Sequence, residues 1–162
     1  MFKEMQMNIS KHFAPMVAAL TLAGATLAHA GGHDGNPAAN ARQAHMKLYA
    51  FNLDMIGAMA KGEVGYDAEA AEATAKNLVA LAMMHQDAYW APGTSTAELG
   101  NETKALPSIW EDGSRFGDIG IELIEAASEL AAAAGEGQDS LRGAIRGVGG
   151  ACSACHRDYR QR

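Results

Sequence analysis

This sequence has no strand signals: it contains no alternating β-branched run bounded by turn residues, and alanine is abundant throughout. That pattern excludes a sheet-based fold. Thiols are nearly absent. The only cysteines among 162 residues, Cys152 and Cys155, stand three apart, and a disulfide between them would close a tiny loop and stabilise little. Positive charge is in deficit, with 13 Lys and Arg against 19 Asp and Glu and a formal net charge of −6. Such a balance argues against nucleic acid or an anionic membrane surface as a partner. Beyond the first thirty residues no apolar run could span a bilayer. The length suits one compact domain rather than two.

The first thirty residues read as a secretory signal peptide. Lys3 and Lys11 give a basic start, and "FAPMVAALTLAGATLA" (Phe13 to Ala28) is apolar and uncharged. "AHA" (Ala28, His29, Ala30) then supplies a small-x-small cleavage pattern before the loop-like "GGHDGNP". The alternative is a retained membrane anchor, but the apolar run falls short of the roughly 20 residues a spanning helix needs. Cleavage after Ala30 would leave residues 31–162, exported to the periplasm, with no membrane span. That mature part holds 11 basic and 18 acidic side chains, a formal −7, because Lys3, Lys11 and Glu4 are removed. The charge is uneven: residues 138–162 carry a net +3 and residues 31–137 a net −10.

Four helical segments account for the mature chain, at about 37–61, 67–89, 108–134 and 139–160. Asn36 and Pro37 open the first and Gly62 stops it. Asp67 opens the second, with Glu69 and Glu72 placed for the helix dipole. Ser108 and Glu111 fit a capping box for the third. Ala71, Leu78, Leu81, His85 and Ala88 form one stripe of the second helix. Ile109, Gly113, Phe116, Gly120, Leu123, Ala127, Leu130 and Ala134 keep a 4-3 rhythm in the third. Leu141, Ile145, Val148, Cys152, Cys155 and Tyr159 do so in the fourth. One apolar stripe per helix predicts an all-α fold, an antiparallel four-helix bundle. Many stripe positions are Ala or Gly, so the core looks underfilled for protein alone.

The cysteines lie in "CSACH", Cys152 to His156, a C-x-x-C-H haem-attachment signature near the C-terminus. Two thiols about one helical turn apart can add to the two vinyl groups on one porphyrin edge, and the following imidazole is carried to the iron as a proximal axial ligand. A thioredoxin-like pair would sit between a strand and a helix. A zinc site would need two further ligands, for which the mature chain has only His33, His45 and His85.

With "ARQAHMKL", "KGEVGYDAEAA", "PGT", "IWED" and "GGACSACHRDYR" in this order, residues 38–162 resemble a class II c-type cytochrome of the cytochrome c′ family. The resemblance implies one covalent haem c per chain, held by Cys152 and Cys155 with His156 as proximal axial ligand. It places Arg42 near a haem propionate, Met46 on the distal face of the iron, and Arg160 beside the proximal imidazole or a haem edge. Arg42, Met46, Tyr49 and Leu53 share one helix face by spacing; the alternative is a solvated arginine and ordinary core filler. Arg160, one turn beyond His156, could equally be a surface residue of a basic tail. His45 diverges from Met46 by about 100° around the helix and is expected beside the haem or at a helix interface. His85 is expected as a satisfied core residue. Gly147, Gly149 and Gly150, each costing about 1 kcal/mol in a helix, are read as a bed for the porphyrin or as close helix packing.

Two functions remain. If the Met46 sulfur binds the iron opposite His156, the protein is a one-electron carrier and no enzyme. If Met46 only packs there, an open iron would bind or scavenge nitric oxide or carbon monoxide. The carrier is preferred, because "ARQAHMKLYAFNLDMIGAMAKGE" most resembles low-spin members of the family. Expected partners are periplasmic redox proteins, a small gas ligand in the second case, and a second copy of the chain in a homodimer; no nucleic acid is expected. Replacing both Cys152 and Cys155 by Ala should abolish covalent haem retention, read as haem released on denaturation. Haem that stays attached in the double variant would sink the assignment.

Overall fold

The computed structural model describes residues 35–162, and the structural statements below concern those residues. The expected signal peptide, residues 1–30, lies outside them. Asn36 is extended and its side-chain oxygen accepts from the amides of Ala38 and Ala39, with Pro37 next, which starts helix α1 (Pro37–Lys61). Gly62 ends it at φ +77°, a left-handed conformation that lets its amide reach back to the last turn. The Asp67 carboxylate accepts from the Ala70 amide and opens α2 (Ala68–Ala82). A one-turn helix α3 (Thr96–Leu99) lies in the long connection to α4 (Phe116–Ala133), and α5 covers Gln138–Tyr159. Apart from one isolated bridge, the described residues contain no strand pairing.

Two helices are shorter than their sequence pattern. α2 stops at Ala82 rather than near Tyr89, and a separate 3-10 turn covers Asp87–Trp90. Met83, Met84 and His85 are all exposed, so no burial holds a further turn together. His85 is therefore not on a core stripe. α4 begins at Phe116 rather than near Ser108, because Pro107–Trp110 is a 3-10 turn and Gly113 takes φ +81°. The Ser108 hydroxyl donates to the Asp158 carbonyl (3.4 Å) instead of capping a helix. A capping box does exist in the connection. The Ser95 hydroxyl accepts from the Ala97 amide, and the Glu98 carboxylate accepts from the Ser95 amide (2.9 Å) and hydroxyl (2.6 Å). Those bonds hold the Glu98 carboxyl below its ordinary pKa.

α1 packs on α2 and α5, and α4 packs on the same two helices, which makes the antiparallel four-helix bundle. Ile56, Leu78, Leu130, Leu141 and Val148 are the largest fully buried apolar side chains; Ala71, Ala75, Ala127 and Ala134 fill the space between them. The glycines of α5 divide. A Cβ on Gly147 would lie 3.3 Å from that of Ala126, so this glycine serves close packing of α5 on α4, whereas Gly149 and Gly150 would meet nothing within 4 Å. No helix among the described residues is long and apolar enough to cross a membrane.

One end of the bundle is stitched by polar groups. The Tyr66 hydroxyl donates to the Ala134 carbonyl (2.7 Å) and accepts from the Gly137 amide (3.0 Å), closing the α4–α5 turn. Gln138 Nε2 donates to the Met59 carbonyl and Arg142 Nε to the Ala60 carbonyl, satisfying the last turn of α1. Tyr66→Phe should leave both a carbonyl and an amide without their partner. A loss of about 1–3 kcal/mol is expected in urea unfolding, and an unchanged midpoint would show that the latch contributes nothing.

Candidate functional site

The opposite end of the bundle is built on the last turns of α5. Cys152 and Cys155 are half-buried there and His156 is exposed. Burial pushes both thiols up, Cys155 to about 11 with added repulsion from Cys152 and Asp158, so both sulfurs stay protonated at neutral pH. His156 is pulled below its ordinary value by burial and then by Arg160, which favours the neutral imidazole, the form that binds metals. The end of this helix is strapped down. The Leu106 amide donates to the Tyr159 carbonyl (3.0 Å), the Gln161 amide to the Lys104 carbonyl (2.8 Å), and Ala105 and Arg160 form the antiparallel bridge.

Arg42 of α1 is 4% exposed. Its Nη1 donates to the Tyr89 carbonyl (2.7 Å) and Thr94 Oγ1 (2.6 Å), and its Nη2 to the Thr94 carbonyl (2.7 Å) and Thr103 Oγ1 (3.1 Å). The guanidinium also lies 5.1 Å from the centre of the Trp90 ring. A solvated surface arginine is excluded by this burial. All four acceptors are neutral, and burial pulls the guanidinium down from its ordinary pKa. A buried cation met only by dipoles favours an anion close by. Trp90 continues into an aromatic row, edge-on to Phe116 at 4.6 Å, which is edge-on to Tyr159 at 5.7 Å. Neither the row nor the Thr94 and Thr103 acceptors were singled out in the sequence. The row spans three distant segments and has no local signature, although S-x-x-E at Ser95–Glu98 marks the ordered turn beside Thr94.

Of the six residues singled out in the sequence, five line one cavity of about 540 Å³: Arg42, Met46, Cys155, His156 and Arg160. Cys152 packs against the core instead. A second cavity, of about 690 Å³, shares Met46, Trp90, Ile109, Phe116 and Cys155 with the first and is otherwise lined mainly by apolar groups such as Leu123, Ile124 and Ala151. His85 borders this second cavity from the exposed segment after α2. His45 lines neither cavity; it is 4% exposed, stacked on Tyr49 at 4.8 Å and edge-on to Tyr89 at 5.8 Å. Burial raises the Tyr49 phenol to about 12, and its hydroxyl and His45 Nε2 are buried without a hydrogen-bond partner.

This set fits a covalently held haem. Two protonated thiols stand one turn apart, a neutral imidazole follows, a thioether on another helix borders the same space, apolar walls extend beyond, and an uncompensated buried cation sits at the edge. Among the described residues, no three or more His, Cys, Asp and Glu side chains gather as a ligand set for a metal ion.

Comparison with known proteins agrees with this chemistry. The family model described as Cytochrome C′ matches residues 37–160. A cytochrome c′ of Cereibacter sphaeroides is 40% identical over 140 residues, covering 86% of this chain and 93% of its own length. The solved cytochrome c′ from Rhodobacter sphaeroides superposes with a TM-score of 0.73 at 41% identity, covering 76% of this chain and 94% of its own. The nitric oxide complex of a cytochrome c prime variant from Alcaligenes xylosoxidans superposes at 0.67 with 31% identity, covering 77% and 94%.

The Arg42 network generates a test that needs no cofactor chemistry. Lysine is a point charge and cannot fork to four acceptors. Arg42→Lys should cost about 2–4 kcal/mol in unfolding free energy. It should also speed amide exchange in residues 89–105, where the acceptors lie. Exchange unchanged in that segment would mean that Arg42 does not organise it.

Proposed function

Because the chain belongs to the cytochrome c′ family and is therefore a haem protein with covalently attached haem c, we propose that it carries single electrons and transforms no substrate. Bound haem supplies a reversible one-electron iron couple. Cys152 and Cys155 would hold it through thioether bonds, His156 would give its imidazole to the iron, and Met46 would give its sulfur. The observation that carries this reading is that Met46 of α1 lines the same cavity as His156 and Cys155 of α5. With a soft thioether and an imidazole both committed, the ligand set need not change between redox states. Ile109, Phe116 and Trp90 give the cavity an apolar wall beside these ligands. Arg42, already fixed by four hydrogen bonds, offers charge to a haem carboxylate, and Arg160 does the same from the rim.

A second reading has an observation of its own. The cavity beyond Met46 is largely apolar, and a relative forms a nitric oxide complex. There, Met46 would only crowd an open iron position, and the protein would bind or scavenge nitric oxide or carbon monoxide.

The proposal includes export to the periplasm with the signal peptide removed after about Ala30, and redox proteins of that compartment as partners. It also includes a homodimer. Leu48, Phe51 and Met55 form an exposed apolar stripe on α1, at 51%, 61% and 44% exposure, which a second copy would cover.

Met46→Ala separates the two readings. In a carrier, the wild type shows the weak far-red charge-transfer band of thioether-bound ferric iron and binds carbon monoxide poorly. The variant then loses the band, turns high-spin and takes up the gas readily, and its potential falls. A wild type that is already high-spin at neutral pH and binds carbon monoxide freely would replace the carrier with the gas-binding protein.

A further inference from the structure

The two cavities differ in charge. Arg42, Lys47, Lys104 and Arg160 line the 540 Å³ cavity, and no carboxylate does. The 690 Å³ cavity has no Lys or Arg in its wall and one carboxylate, Asp87. Between Lys76 and Lys104 the sequence holds no Lys or Arg at all, but it holds Asp87, Glu98 and Glu102. A small cation is therefore opposed at the first cavity and favoured at the second.

Beside the second cavity stands a stretch that neither core packing nor the haem explains. Met83, Met84 and His85 follow the last turn of α2, and all three are exposed. Met83, at 65%, is the most exposed large apolar side chain among the described residues, and Met84 is 46% exposed. Methionines left in water forgo the burial that ordinarily makes them stabilising. Met84 and His85 both line the 690 Å³ cavity, so a thioether and an imidazole border the same space. A second thioether, that of Met83, stands on the adjacent residue. None of the three lines the first cavity. The backbone here is loosely held. It lies between α2 and the 3-10 turn at Asp87–Trp90, and the His85 amide makes no backbone hydrogen bond among the described residues.

We propose that Met83, Met84 and His85 bind one soft monovalent cation, copper(I), at the opening of the second cavity. Thioether sulfur and neutral imidazole are donors that this ion selects. The unbranched methionine side chain has three rotatable bonds, which lets sulfurs on neighbouring residues turn to one ion. Asp87 adds a negative charge nearby without being needed as a ligand. Zinc(II) calls for thiolates, imidazoles and carboxylates in number, and among the described residues no three or more such side chains gather. The ion enters and leaves as copper(I), with no change of oxidation state. The site stands apart from the haem reading above, since it uses neither the cysteines nor His156 nor Met46.

Two measurements on the haem-loaded protein test it, both without oxygen. In the first, the protein competes for copper(I) held by the coloured chelator bicinchoninate. The wild type should withdraw one equivalent, and H85A and the double variant M83L/M84L should each bind about tenfold more weakly or worse. The optical spectrum of the haem should be the same in all three, which separates loss of this site from any change at the iron. In the second, methionine methyl groups are isotope-labelled and copper(I) is added. The Met83 and Met84 signals should shift, and zinc(II) at the same concentration should leave them in place. A wild type that takes no copper from the chelator overturns the inference, as does an affinity unchanged in both variants. Shifts confined to Met46, Met55 and Met59 overturn it as well. Met83 and Met84 signals that move with protein concentration and not with copper(I) would assign the pair to a contact between copies instead.

Discussion

A single buried cation organises the long connection of this molecule, which has no long helix to hold it. Between α2 and α4 the chain runs from Met83 to Arg115 with only short helical turns, too few to bury a core of its own. Arg42 reaches out of α1 into that segment and gathers the Tyr89 carbonyl, both oxygens of Thr94 and the Thr103 hydroxyl. Removing the guanidinium from water is unfavourable unless each N–H finds an acceptor, so the segment must fold around it. Thr94 and Thr103 are tied in turn to the Ala91 carbonyl and the Ala105 amide. Through residues 104–106 the same arrangement reaches the end of α5. The end of the helix that carries His156 is thus tied to the segment that Arg42 gathers.

The bundle has two unlike ends for a reason of composition. Around Tyr66, Met59 and Gln138 the helices close on one another through backbone carbonyls and long polar side chains, with alanines allowing close approach. Toward Met46 and Cys155 two cavities share a wall of Met46, Trp90, Ile109, Phe116 and Cys155. Unfilled volume of this kind is destabilising. The proposed haem is thus a packing element as well as a redox or ligand-binding group.

How much of this was legible beforehand follows from how local each signal is. Asn36, Pro37 and Gly62 act within one turn of their own position, and the first helix runs between them. C-x-x-C-H is local too, and the cytochrome c′ family is recognised from it with its flanking residues. The expected third helix starts too early because Ile109 and Gly113 continue a 4-3 rhythm by coincidence; a left-handed Gly113 ends that rhythm in space. The expected second helix runs past His85 because nothing in "MMHQD" announces a stop. Burial of Arg42 could be expected from its neighbours on the helix face, but its acceptors stand 47 to 61 residues away. No spacing rule reports partners at that separation.

The strap between residues 104–106 and 159–161 also has a meaning in time. A chain is made from its N-terminus, so Arg42 and Met46 exist long before Cys155 and His156 are added. Helices α1, α2 and α4 can pair as they emerge, since their turns are short or anchored. The cavity cannot close until the last residues arrive and the extended tail pairs with the connection. Pairing Ala105 with Arg160 closes a loop of 55 residues (160 − 105), a non-local contact whose closure entropy places this step late in folding. A chain cut just before Cys152 would hold α1, α2, α4 and the first part of α5 with neither thiol, imidazole nor strap. The chain thus stays without any means of gripping a haem until the last turns of α5 are in place, and they convert a loose helical array into a finished site.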